Sequence, residues 1–126
     1  MKLFVGILIM VVAINGFAYF SLQYTTGLSK DIIETLEVIR EKVEKEDWEA
    51  ISNDVKRLES QWEKADAWWT PLMDHREIDL LEQTLVRAVQ NIEVKQKKEA
   101  LVEIGLAKRM TRKIYEKEQL SIKNIF

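Results

Sequence analysis

The chain has 126 residues, with 19 Lys+Arg against 21 Asp+Glu, one His, four Gly, one Pro and no Cys. That length holds one domain rather than two, and so little Gly and Pro leaves scant turn chemistry for a sheet. The lack of Cys excludes disulfides, thiolate metal sites, cysteine nucleophiles and a lipoprotein acylation site.

Residues 3–22 form an almost unbroken apolar run. At ~1.5 Å per residue it extends about 30 Å as a helix, enough to cross the hydrocarbon core of a bilayer. Asn15 and Gly16 interrupt the run without forbidding it. Tyr19, Phe20 and Tyr24 gather at its end, where amphipathic rings favour the headgroup layer. Lys2 precedes the run and the next positive charge is Lys30, a bias that favours a cytoplasmic N-terminus and an external C-terminal part. Residues 1–24 are therefore expected to form a single-pass transmembrane anchor, contacting lipid through residues 3–22, with residues 25–126 as an extracytoplasmic domain. Gly16-Phe17-Ala18 also offers small residues for signal cleavage after Ala18. The continuing apolar run at Tyr19 and Phe20 favours retention, and either outcome puts the domain outside the cytoplasmic membrane.

The rest of the chain predicts four helices, at about 29–45, 47–69, 75–94 and 99–118. In the first, Ile32, Leu36, Ile39 and Val43 step by four, three and four, and Ser29 is placed to cap its start. In the second, Asp47 is a candidate N-cap, and Trp48, Ile51, Val55, Leu58, Trp62, Ala65, Trp69 and Leu72 form one long seam. Thr70-Pro71 should end it, because Pro lacks an N–H and disfavours α geometry in the residue before it. Asp74 with Glu77 resembles a capping box ahead of the third stripe, Ile78, Leu81, Leu85, Ala88 and Ile92. The fourth helix carries Leu101, Ile104, Ala107, Thr111 and Ile114, with Leu106 and Met110 beside them and Gly105 as a weak point worth ~1 kcal/mol. The tail ends in Ile122, Ile125 and Phe126, apolar enough to fold back onto the other helices. Short connections make antiparallel neighbours. The fold class is all-α: a transmembrane helix followed by a small antiparallel four-helix bundle, or by two consecutive helical hairpins.

Charge is unevenly spread. Residues 25–94 hold 17 acidic and 9 basic side chains, whereas residues 95–126 hold 9 basic and 4 acidic. Solvated helix faces account for this. A basic face at Lys108, Arg109, Arg112 and Lys113 that meets anionic lipid also accounts for it. No aromatic residues interleave a basic stripe, so nucleic acid is not an expected partner.

His75, the only histidine, lies beside Asp74 and one turn from Asp79. The three suggest either a metal-binding or hydrolytic centre or simply a helix start. One imidazole with scattered carboxylates falls well short of a metal motif, and no metal or other cofactor is expected. Gly-rich phosphate loops and Gly-x-Ser-x-Gly elbows are missing, so the chain is not expected to be an enzyme. Trp68 must point away from the seam that holds Trp69. It either covers the Pro71 turn or stands exposed, and with Pro71, Met73 and His75 it forms the expected docking site for an unidentified protein partner. Oligomeric state is not legible here.

The N-terminal anchor, Trp62 followed by Trp68-Trp69, Asp74-His75 leading into Glu77-Ile78-Asp79, and the ending Leu120-Ser121 with Asn124-Ile125-Phe126 together resemble an uncharacterised bacterial family, domain of unknown function family 4363. It occurs chiefly in spore-forming and other Gram-positive bacteria. The resemblance covers nearly the whole chain. It implies a helical, membrane-anchored protein and brings no activity with it.

Overall fold

Apolar side chains at steps of three and four wind almost the entire chain into helix. The computed structural model describes the backbone of residues 1–125 and the side chains of residues 1–120. Four α-helices form, α1 (Lys2–Glu44), α2 (Ser52–Trp69), α3 (His75–Glu93) and α4 (Lys97–Ile125), with a 3-10 turn at Trp48–Ile51 and no strand among the described residues. The protein is all-α.

The segment expected as an anchor and the expected first bundle helix are not separate elements but one helix of 43 residues. Ser29, expected to cap a new helix, lies inside α1 at 2% exposure, and its hydroxyl has no partner among the described residues. The physical reason is that nothing in residues 22–31 compels a break. There is no Pro, and Gly27 costs only about 1 kcal/mol in a helix interior. Thr26 turns its hydroxyl back to the Leu22 carbonyl at 2.7 Å rather than stopping the helix.

Asp47 does not act as a side-chain cap either. Its carbonyl accepts from Ala50 N–H at 3.3 Å, opening the 3-10 turn from which α2 then grows. Helix α2 stops at Trp69, ahead of Pro71, which leaves Leu72 outside the seam and 46% exposed. Asp74 caps α3 as expected, accepting from Arg76 N–H at 2.9 Å. The backbone of α4 stays helical to Ile125. The expected fold-back of the tail is not seen in that backbone, and the side chains of Ile122, Ile125 and Phe126 lie outside the described residues.

Helices α1 and α3 end alike. After α1, Glu46 N–H donates to the Val43 carbonyl and Asp47 N–H to the Lys42 carbonyl. After α3, Lys95 N–H donates to Ile92 and Gln96 N–H to Asn91. These are Schellman closures, and each places a non-glycine residue in the left-handed region, Glu46 at φ 55° and Lys95 at φ 58°.

The core is a single apolar cluster drawn from every helix, with Ile32, Leu36 and Ile39 of α1, Trp69 of α2, Leu81 of α3 and Ile104 of α4 fully enclosed. Helix α1 packs against both α2 and α4, and α3 packs against α4, whereas α2 and α3 barely touch. The helices thus follow one another around the bundle as α2, α1, α4, α3, with an open side between the last and the first. Asp54, 7% exposed, pins one corner by pairing with Lys42 of α1 at 2.5 Å and with Arg57 at 2.9 Å.

Candidate functional site

Along α1, exposure changes character at one point. Residues 3–17, 19 and 20 are all exposed, and from Ser21 onward Ser21, Thr25, Leu28, Ser29 and Ile32 are buried. The exposed portion is long and apolar enough to cross a membrane.

Trp68 lies against α1 at this boundary. Its indole N–H donates to Thr25 Oγ1 at 3.2 Å. Its ring meets Tyr24 edge-on with centroids 4.9 Å apart, Phe20 edge-on at 6.1 Å and Phe17 at 6.5 Å. Trp68 is therefore half-buried and packs on α1 rather than standing free. Of its expected companions, Pro71 and His75 are exposed and Met73 packs partly against the core. The four residues share one end of the bundle, but only Pro71 and His75 face fully outward.

Asp74, His75 and Asp79 are all exposed, and the Asp74 carboxylate is engaged in capping α3. No group of three His, Asp or Glu side chains among the described residues could hold a metal ion.

On α4, the basic residues line a shallow surface depression together with Gly105 and Glu116. Lys108 is half-buried and paired with Glu37 of α1, while Arg109, Arg112 and Lys113 are exposed. These three make no ion pair among the described residues.

The open side between α2 and α3 escaped sequence reasoning. It is a groove of about 360 Å³ with Leu58, Trp62, Leu85, Val86 and Val89 along it and Glu59, Glu63 and Glu82 at its edges. A second depression of about 360 Å³ continues it past Val55 and Ile92 toward Trp48. The antiparallel run of α2 and α3 brings two helix seams side by side without fully closing them, so Val86 and part of Val89 stay accessible beside the buried Leu58, Trp62 and Leu85, beneath three carboxylates.

No curated protein and no solved structure matches the chain. A family model does, over residues 19–125, from the boundary on α1 to the last described turn of α4. The chain belongs to the domain of unknown function family DUF4363.

Proposed function

We propose that this is a single-pass, membrane-anchored interaction module. Helix α1 crosses the cytoplasmic membrane with its N-terminus inside, and the bundle stands outside on the continuation of the same helix. The observation that carries this reading is the switch from all-round exposure to one-sided burial at Ser21 within an unbroken helix. An isolated stretch of exposed Leu, Ile, Val and Phe suits lipid and not water. The ring cluster of Phe17, Phe20, Tyr24 and Trp68 then falls at headgroup depth, where amphipathic aromatics are favoured. The same cluster supports retention over cleavage after Ala18, since Phe17 and Phe20 flank that position and both meet Trp68.

The role is binding rather than catalysis. Trp68 holds the α2–α3 corner against α1, and Pro71 and His75 present that corner outward to a protein partner. The basic face of α4 has a weaker claim on anionic lipid. Lys108 is occupied by Glu37, and the antiparallel pairing of α4 with α1 lifts Arg112 and Lys113 some 15–20 Å above Phe20 at ~1.5 Å per residue. That exceeds the Debye length of about 8 Å at physiological ionic strength.

Absence of native cysteine makes the test clean. In the full chain, Glu41→Cys should react with a membrane-impermeant maleimide on intact cells, and Lys2→Cys only after lysis. The reverse pattern, or release of the protein by alkaline carbonate, would overturn the proposal.

A further inference from the structure

We infer that the groove between α2 and α3 receives α4 of a second copy of this chain, so that copies in one membrane associate head to tail. The groove offers an apolar floor under Glu59, Glu63 and Glu82, none of which forms an ion pair among the described residues. The outward face of α4 has the opposite character. Val102, Leu106, Arg109 and Lys113 recur at steps of four, three and four, so they form one line on the helix. Val102 is 61% and Leu106 41% exposed, and Arg109, Arg112 and Lys113 have no acidic partner among the described residues. With Glu99 and Glu116 at its two ends, this ridge is net basic through Arg109, Arg112 and Lys113, and it matches an apolar groove with an acidic border, the arrangement used when a helix docks in a groove.

Height agrees as well. Arg87 pairs with Glu103 at 3.1 Å, Thr84 donates to Met110 Sδ at 3.6 Å, and Lys117 pairs with Glu77. These contacts fix α3 and α4 in an antiparallel register that sets Val86 level with residues 104–108. Two copies standing upright side by side present groove and ridge at the same level, with no tilt required. This step rests on the common orientation that membrane anchorage supplies. Anchorage also confines the copies to a plane and pre-aligns them, which lowers the cost of association. Like charges oppose the symmetric alternatives. Groove against groove sets carboxylate beside carboxylate, and ridge against ridge sets Arg beside Arg. The complementary contact joins different surfaces on the two copies, so it propagates as a row or closes as a ring.

The test uses full-length protein reconstituted in liposomes, one population carrying Val86→Cys and the other Leu106→Cys, under mild oxidation. The expected result is a mixed disulfide exceeding either same-site disulfide by about tenfold, because like-charge contacts disfavour the symmetric pairings. Adding Glu63→Arg and Glu82→Arg to the first population should abolish it. Adding Arg109→Glu and Arg112→Glu to the second should then restore it, which also shows that the charge variants are folded. Same-site disulfides in equal or greater amount, no disulfide at all, or indifference to charge reversal would overturn the inference. Retention of the chain in liposomes under carbonate is scored separately. Retained protein without the mixed disulfide removes this inference and leaves anchorage standing, whereas release by carbonate removes anchorage and the aligned association with it.

Discussion

Trp68 donates its indole N–H to Thr25 across 3.2 Å, tying the last turn of α2 to the place on α1 where exposure gives way to burial. Thr25 is fully buried, so its hydroxyl would lack a side-chain donor without that indole. Trp68→Ala should destabilise the protein by about 2–3 kcal/mol, less than a fully enclosed Trp because the ring is only half-buried. Thr25→Val should cost about 1 kcal/mol by stranding the N–H. Thermal unfolding in detergent, followed by circular dichroism, measures both. The double variant should lose less than the sum, and strict additivity would deny the contact.

Asp54 sits almost out of solvent between Lys42 and Arg57. Asp54→Asn keeps the shape and removes the charge that both cations face. We expect a loss of about 1–3 kcal/mol in the same melt, reduced from the fully buried case because Lys42 and Arg57 keep contact with water. Lys42→Met should lose less, since Arg57 still neutralises Asp54.

The left-handed residues that close α1 and α3 are Glu46 and Lys95, where most helices place Gly. An L side chain in that region costs about 1–2 kcal/mol, partly offset by the greater chain entropy that Gly loses on folding. Lys95→Gly should therefore raise stability by about 0.5–1 kcal/mol. A fall in melting temperature for this variant would contradict the closure described above.

Gly27 meets the opposite condition. It lies within α1, exposed, and a Cβ there meets nothing within 4 Å. Gly27→Ala should stabilise α1 by roughly 0.5–1 kcal/mol. Slower amide exchange at residues 24–30 would register it, and unchanged exchange would show that this stretch gains nothing from added helix propensity.

The stripes of α2 and α3 were legible in the sequence because each carries its apolar residues at strict helical steps. Ile78, Leu81, Leu85, Ala88 and Ile92 are all buried. The continuity of α1 was not legible. Thr25, Thr26, Gly27 and Ser29 are weaker helix formers that read as a junction, and packing on α2 and α4 overrides that local preference. Leu72 was misread as seam because periodicity alone does not register where Pro71 stops the helix. The adjacency of Trp68 and Trp69 showed that they face different ways. What Trp68 covers depends on a residue 43 positions earlier, set by the pairing of two helices. The α2–α3 groove was invisible for a similar reason, since sequence period gives a helix its face but not the lateral gap to its neighbour.

In the anchored arrangement proposed above, α1 has no joint between its exposed apolar half and its core-forming half, so the bundle has no swivel. From Ser21 to its end the helix rises about 36 Å, so a tilt of roughly 20° in the bilayer would carry its far tip sideways by about 12 Å. Changes in bilayer thickness that alter tilt would thus reach the distal end of the bundle undiminished, turning the anchor into a stiff lever whose fulcrum is the ring cluster around Trp68.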